Sequence, residues 1–383
     1  MNRPAAAPLT VVQVASGDLW AGAEVQLYYL ARALKDQGVR VYVVLLNTGV
    51  LETKLREAGI DTLILDERMR SSREIFHALL DLWRRLKPDV VHTHRRKENI
   101  LGGLSAWLNG IPSIRTVHGA QEIRPPWWHL PKHTFRTLDR LSGRYFQDRI
   151  VVVSDDLWNR YRNTFPASKL HTIENGIDVA DIELRAREVV TVPGDLQRVK
   201  LAMIGRAVPV KRVDIFLEMA GILQHESPDT FAFYIFGEGP LLEAHRAHAQ
   251  RLGLDAHMHF MGFRENIAAY LAKMDMLVMT SDHEGLPITL LEAMCLDVPV
   301  VAHAVGGIPK LLERGQCGRL VTEQNPSAYA DAVRRQQQDP NTPLLTTAAR
   351  HRVSAHYAAA SVARSYANIY RELSHRSAQR AGA

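Results

Sequence analysis

Two clusters in the second half of this 383-residue chain combine residue types suited to chemistry on a phosphorylated substrate. The segment Gly205-Arg206-Ala207-Val208-Pro209-Val210-Lys211 follows an apolar run, residues 199–204, and sets two cations five positions apart. At the carboxyl edge of a strand they can clamp a diphosphate, the guanidinium bidentately and the ammonium as a point charge. Two solvated surface cations would show the same spacing. The second cluster, Ser281-Asp282-His283-Glu284-Gly285-Leu286-Pro287-Ile288-Thr289-Leu290-Leu291-Glu292, follows the apolar run 276–279. Gly285 permits a tight turn, Pro287 suits the first position of a helix, and the amides opening that helix would face an anion. Glu284 then lies in the loop, and Glu292 about one and a half turns into the helix. Carboxylates at such different depths have different jobs. The plainer alternative is a loop Glu that caps the helix and a second Glu satisfied by its neighbours.

Other strand-end segments carry weaker signals. Ser16-Gly17-Asp18-Leu19-Trp20-Ala21-Gly22-Ala23-Glu24 is a glycine-bearing strand-to-helix turn that would admit a phosphate against the backbone, although it is not a G-x-G-x-x-G fingerprint. His118, in Thr116-Val117-His118-Gly119, leaves the end of another strand, where a lone His is either structural or functional. Gly237-Glu238-Gly239-Pro240 and Phe260-Met261-Gly262-Phe263 are further strand-end turns. His92 and His94 have metal-pair spacing but no third ligand nearby, and read as structural. No Asp-x-Asp occurs, which argues against a simple metal–diphosphate site.

The elements that must position these residues alternate. Short β-branched runs at 9–14, 39–46, 62–65, 90–92, 113–117, 150–153 and 171–173 are separated by helix-length stretches such as 23–37, 73–87, 101–109, 132–145 and 156–164. The second half repeats the pattern with runs at 199–204, 231–236, 257–260, 276–279 and 298–302. Continuous apolar strands separated by helices indicate parallel sheets covered on both faces. The expected architecture is α/β, with two doubly wound domains. Domain boundaries are expected at 1–180, a linker at 181–198 around Pro193-Gly194, a second domain at 199–355 and a terminal helical segment at 356–383 that packs back toward the first domain. Two facing domains would form a cleft at the carboxyl ends of both sheets.

Composition narrows the class. A content of 46% hydrophobic and 23% charged residues is that of a globular protein and excludes disordered, collagen-like and low-complexity chains. The two Cys are too few for a disulfide framework, which suits a reducing compartment. Met1–Gly17 superficially resembles a signal peptide, but its apolar run is short and reads as a buried strand. No run approaches the ~18 apolar residues of a spanning helix. The expectation is a cytoplasmic protein, with at most peripheral contact at the inner face of the cytoplasmic membrane. The formal charge of +6 lies in the first half: residues 1–180 carry 25 Lys+Arg against 19 Asp+Glu, the remainder 22 against 22. All six Trp lie there too.

The Gly205–Lys211 segment, the spacing of Glu284 and Glu292, the Gly22-Ala23-Glu24 turn and Asn175-Gly176-Ile177-Asp178 together resemble the retaining GT-B glycosyltransferases of family four. The match runs over nearly the whole chain. The resemblance implies the GT-B fold and a nucleotide-sugar donor held mainly by the second domain. Arg206 and Lys211 would neutralise its diphosphate, and Glu292 would accept from the ribose hydroxyls. Glu284 would sit beside the donor sugar, with backbone amides of Gly285, Leu286 and Ile288. Met261 and Phe263 would meet the base. Gly22 would bring its helix N-terminus to the diphosphate, and His118 would lie over the sugar. No cofactor or metal is implied. Three departures touch the donor pocket: Arg212 where Gly commonly follows the Lys, Val210 where an acidic residue is frequent, and Leu286-Pro287 where smaller or aromatic residues with Gly often stand.

The expected reaction is transfer of a sugar, with a UDP-sugar favoured, to a glycan or lipid-linked acceptor in envelope polysaccharide or lipopolysaccharide synthesis. The basic first half suits an acceptor or an anionic membrane. Residues 115–149 carry seven Lys/Arg against three Asp/Glu and include Trp127 and Trp128, which can stack on a sugar or lie on a membrane. A GT-B-fold nucleotide-sugar epimerase is the alternative. Nucleic acid is not expected as a partner, because the donor-type motifs would then have no role.

Overall fold

The apolar runs form strands covered on both faces by helices, as a parallel sheet requires to bury its two surfaces. The computed structural model describes residues 8–119, 130–194 and 197–381. The chain divides into two units, residues 1–176 with 359–383, and residues 177–358. In the first unit β1 (Thr10–Ala15), β2 (Arg40–Leu45), β3 (Asp61–Ile64), β4 (Val90–Thr93), β5 (Ser113–Val117), β6 (Arg149–Val152) and β7 (Leu170–Thr172) form one sheet in the order β3-β2-β1-β4-β5-β6-β7. In the second, β8 (Val199–Ile204), β9 (Phe231–Phe236), β10 (Met258–Gly262), β11 (Met276–Met279), β12 (Val300–His303) and β13 (Arg319–Val321) run in the order β10-β9-β8-β11-β12-β13. Every pairing is parallel. Each order reverses beside its first strand, at β1/β4 and at β8/β11, and open α/β sheets bind ligands at such points.

Packing follows from the sequence pattern. Val12, Val14, Val44, Ile75, Trp83 and Val91 share one core cluster of the first unit, and Leu201, Phe216, Phe233, Val278 and Val333 share one in the second. Ser71 and Glu74 close a reciprocal capping box at the start of the helix Ser72–Leu86. The terminal helix Ala359–Ala381 belongs to the first unit, where Tyr366 and Tyr370 are buried. Both cysteines are buried and unpaired, and burial pushes their thiols up to about 12 for Cys295 and about 11 for Cys317. Among the described residues no helix is long and apolar enough to cross a membrane.

The structure departs from expectation in several places. The segment 181–198 begins inside a helix, Val179–Arg185, whose N-cap Asp178 accepts from the Asp181 amide at 3.1 Å. Its seven residues are too short to show an apolar period. The unit boundary falls earlier, between Gly176 and Ile177, inside the Asn175–Asp178 motif. The helix Val50–Glu57 and strand β13 were not expected, one being short and the other three residues long. Pro287 is the N-cap and not the first helical residue, because its ψ of 124° is extended and the helix Ile288–Cys295 starts one residue later.

Candidate active site

In the second unit the strand-end loops are knitted together by backbone hydrogen bonds. Gly205 N–H donates to the Phe236 carbonyl at 2.9 Å, Ala207 N–H to the Glu238 carbonyl at 3.0 Å and Gly237 N–H to the Gly262 carbonyl at 2.8 Å. The turns after β8, β9 and β10 therefore form one ledge. The β8 and β11 turns are joined too: Asp282 N–H donates to the Val210 carbonyl at 2.8 Å, and Thr280 Oγ1 to the carbonyls of Lys211 at 3.0 Å and Arg212 at 2.9 Å.

That joint brings the two sequence clusters together. Lys211 Nζ lies 2.5 Å from Glu284 Oε1, across a sequence gap that left their contact invisible. Arg206 is exposed, and its guanidinium has no hydrogen bond or ion pair among the described residues. Glu292 is 3% exposed, and burial pushes its carboxyl up to about 7, with Arg185 4.0 Å away pulling the other way. Leu286 and Ile288 are buried on either side of Pro287. Met261 is buried at the end of β10, while Phe263 beyond it is 41% exposed, so the two residues expected to act together have different surroundings.

Residues not singled out by motif hold this site. Gly306 has φ +57°, and a Cβ there would come 1.7 Å from the Glu284 carbonyl oxygen; its neighbour Gly307 donates to the Gly285 carbonyl at 2.9 Å. His303 Nδ1 donates to the Ser281 carbonyl at 2.9 Å. Arg212 adopts a left-handed conformation, φ 49° and ψ 49°, which explains why Gly suits that position. Its guanidinium grips Asp214 at 2.8 Å and Asp282 at 3.2 Å, tying the helix Val213–Glu226 to the Glu284 loop.

The corresponding edge of the first unit carries a histidine chain. Gln13 Oε1 accepts from His94 Nε2 at 3.0 Å, and His94 Nδ1 meets His118 Nε2 at 3.0 Å. With the Gln13 amide so oriented, His94 Nδ1 is the acceptor and His118 Nε2 the donor, which leaves a lone pair on His118 Nδ1. That atom is shielded and has no hydrogen-bond partner. Burial, reinforced by Arg95, drives the His118 imidazole down to about 3, so the ring is neutral. His92 is structural: its nitrogens meet Tyr370 Oη at 2.7 Å and Thr116 Oγ1 at 2.8 Å. Gly22 opens the helix Gly22–Asp36, whose N-terminus has no side-chain cap. Arg95 pairs with Asp18 at 3.3 Å and with buried Glu24, holding the turn that precedes that helix. Trp127 and Trp128 lie outside the described residues. Among the described residues no three His, Cys, Asp or Glu side chains are grouped as metal ligands.

Residues 20–181 match the profile of Glycosyltransferase Family 4, and residues 198–339 that of Glycosyl transferases group 1. The Escherichia coli UDP-Gal:alpha-D-GlcNAc-diphosphoundecaprenol alpha-1,3-galactosyltransferase is 24% identical over 326 residues, 80% of this chain and 81% of its own. The D-inositol 3-phosphate glycosyltransferase of Streptomyces avermitilis is 25% identical over 334 residues, 80% and 71% of the two chains. Among solved structures, Anabaena HepE in complex with UDP-glucose superposes with a TM-score of 0.79 at 18% identity, covering 95% of this chain and 100% of that one. At that identity the likeness speaks for the two-sheet GT-B fold.

Proposed function

The chain belongs to the GT-B glycosyltransferases, with a family 4 domain followed by a group 1 domain, and on that premise we propose that it transfers a sugar from a UDP-sugar to a lipid-linked or glycan acceptor with retention of configuration. The observation that carries the reading is the Lys211–Glu284 pair, held at the β8/β11 switch point beside the unpaired Arg206. A departing diphosphate needs fixed positive charge, and preorganised cations supply it without reorganisation as the bond breaks. Support for UDP comes from the E. coli relative, whose name specifies UDP-Gal, and from HepE, whose structure holds UDP-glucose. The acceptor in that relative's name is a sugar on diphosphoundecaprenol, which supports a lipid-linked acceptor here. The relatives named above are transferases, so nothing favours the epimerase alternative.

In the proposed reaction the bond between the anomeric carbon and the β-phosphate oxygen breaks, and its electron pair leaves on the phosphate. The acceptor oxygen attacks the same face, and its proton passes to a β-phosphate oxygen. Arg206 and Lys211 hold the charge that develops there, a role assigned to no metal ion. Glu292 accepts from the ribose hydroxyls, Phe263 and Met261 form the base end, and Glu284 with the Gly285, Leu286 and Ile288 backbone holds the sugar. In the first unit, His118 Nδ1 is an acceptor available to a sugar hydroxyl, and the uncapped helix at Gly22 is an end available to a phosphate. The place of work is the cytoplasmic face of a membrane, in envelope polysaccharide or lipopolysaccharide synthesis.

The test is thermal denaturation with UDP, GDP, ADP and dTDP, since a ligand that binds only the native state raises the melting temperature by mass action. UDP is expected to give the largest shift, and Lys211→Ala to remove it. Wild-type transfer by the Lys211→Ala protein, or no shift with any nucleotide, would overturn the reading.

A further inference from the structure

The carboxyl edge of the first sheet buries hydrogen-bond acceptors that nothing in the chain satisfies. Glu98, the third residue of the helix Arg96–Leu108, is 1% exposed, and among the described residues neither of its carboxyl oxygens meets a donor at hydrogen-bonding geometry. Glu24 Oε2 and His118 Nδ1 are shielded and unpartnered in the same way, and the orphaned donor beside them is the amide of Gln13. Buried polar groups are paired as a rule, so orphans gathered at one sheet edge call for a partner from outside the chain. Burial pushes the Glu98 carboxyl up to about 7, against its own amide, Arg95 and the Ser16 hydroxyl, which favour its charged form. Ser16, in the turn after β1, is thus its polar neighbour.

A polar wall surrounds that pair. Asn47 Nδ2 donates to Glu67 Oε1 at 2.9 Å and reaches Ser16 Oγ at 3.4 Å, and Lys97 Nζ donates to Glu67 Oε2 at 2.5 Å. The turns that carry Ser16 and Asn47 are locked together, since a Cβ on Gly17 would collide with the Asn47 carbonyl oxygen and one on Gly49 with that of Gly17. These turns leave β1 and β2, Glu67 follows β3, and Lys97 and Glu98 open the helix after β4. The wall therefore spans the β1/β4 reversal, where open α/β sheets take ligands. Charge selects the ligand. Lys97 is spent on Glu67, and Arg95 on Asp18 and Glu24, so these two cations face four carboxyls once Glu98 is counted. An anionic group would find both flanking cations already neutralised. A sugar brings hydroxyl donors to carboxylate oxygens that can only accept.

We propose that this edge of the first unit binds an uncharged, hydroxyl-rich sugar ring, with Glu98 and Ser16 at its floor and Asn47, Glu67 and Lys97 along its wall. Sugar hydroxyls donate to Glu98 and Glu67, while Asn47 and Lys97 donate to sugar oxygens. Access to Glu98 is through the Lys97–Glu67 pair, whose side chains are 27% and 30% exposed and which is cheap to part. The proposal rests on the transferase reading and names the acceptor group in it: a neutral sugar is received at this edge, and any phosphate of the acceptor lies away from Glu98.

Saturation-transfer NMR on the full chain, without donor, compares the methyl α-glycosides of glucose, galactose and N-acetylglucosamine with glucuronate and glucose 6-phosphate. At least one neutral glycoside is expected to bind about tenfold more tightly than either anion. Ser16→Ala and Glu98→Gln should each weaken that glycoside about tenfold. Hydroxyls that donate to Glu98 favour its ionised form, so wild-type affinity should rise with pH through about 7 and stay flat in Glu98→Gln. Of the charged groups facing Glu98, Arg95 favours ionisation and Glu67 opposes it, while burial holds His94 and His118 neutral. Both variants should keep the UDP-induced rise in melting temperature, which shows that they fold; the wild-type preference and pH profile need no variant. Anionic sugars bound as tightly as neutral ones, no binding of any neutral glycoside, a flat wild-type pH profile, or undiminished binding by both variants would overturn the proposal. Sugar binding by a protein that no nucleotide stabilises would sink the transfer reading and leave the sugar site standing.

Discussion

Glu292 is a buried carboxyl of the second unit with one cation 4.0 Å away, and burial wins: its pKa rises from 4.5 to about 7. The folded state therefore holds the proton more tightly than the unfolded chain. The associated stability is fully present below about 4.5 and is lost as pH rises through about 7, with a ceiling on the order of 3 kcal/mol. Glu292→Gln removes that dependence, so its melting temperature relative to wild type should rise between pH 5 and pH 8. Ribose hydroxyls donating to Glu292 favour its ionised form. UDP affinity measured by calorimetry should thus tighten as pH rises through about 7 in the wild type and stay flat in Glu292→Gln. A flat wild-type profile would remove Glu292 from the ribose site. The Lys211–Glu284 pair separates two further roles. Lys211→Ala should lower kcat/KM by about a thousandfold and weaken UDP, because fixed positive charge at the diphosphate is lost. Glu284→Ala should abolish transfer yet bind UDP as well as wild type or better, because Lys211 is freed from its carboxylate. Retained transfer by Glu284→Ala would contradict its place beside the sugar. These residues were legible from type and position after apolar runs. The Gln13–His94–His118 chain was not, because it joins three separate strand ends and local spacing carries no trace of it.

At the scale of elements, the Glu284 loop is held from both sides by turns whose backbone conformations matter. Gly306→Ala would drive a methyl into the Glu284 carbonyl at a left-handed position, so the loop or the turn must move. The expected cost is about 2 kcal/mol or more in stability, together with a fall in kcat larger than the change in UDP affinity. Unchanged kinetics would show that the turn after β12 does not position Glu284. Arg212 poses the opposite problem, a long side chain in a left-handed conformation that two ion pairs compensate. Arg212→Ala keeps the backbone cost and loses both pairs, whereas Arg212→Gly loses the pairs and relieves the backbone. The glycine variant should therefore be more stable than the alanine variant by about 1 kcal/mol in urea denaturation, the reverse of their order inside a helix. Equal stabilities would mean that the left-handed turn carries no strain. Strands of the second half such as β8, β9 and β11 were legible to the residue, because continuous apolar runs bounded by Gly or charged residues admit one reading. Val50–Glu57 and β13 escaped because two turns of helix or three residues of strand are shorter than the period that would reveal them.

For the whole molecule, the charge difference between the halves is sharper between the two units, 29 Lys+Arg against 19 Asp+Glu in residues 1–176 with 359–383 and 18 against 22 in residues 177–358, and the alternation of strands and helices sufficed to show two doubly wound sheets. It did not show where the chain crosses between them. The crossings are local backbone events: Ile177 N–H donates to the Tyr357 carbonyl at 2.8 Å, and Ala359 begins the helix that completes the first unit. That helix is integral to its unit. Tyr366 Oη meets Thr116 Oγ1 at 2.8 Å, Tyr370 Oη meets His92 Nδ1 at 2.7 Å, and Gln37 Nε2 donates to the Ala360 carbonyl at 2.8 Å. Ala363, Tyr366, Ala367, Tyr370 and Leu373 are all buried. At about 1.5–3 kcal/mol for each large apolar side chain, their loss approaches the whole stability of an ordinary domain. It would also leave His92 Nδ1 without its Tyr370 partner and take from Thr116 Oγ1 its bond to Tyr366. A chain ending at residue 358 should therefore lose hydrogen-exchange protection in β1, β4, β5 and the helix Gly22–Asp36, while residues 199–339 keep theirs. Its UDP-induced protection at the β8 and β11 turns should survive in weakened form, because the cations and Glu292 belong to the second unit. Intact protection in β4 and β5 after truncation would show that the first unit closes its core without the terminal helix.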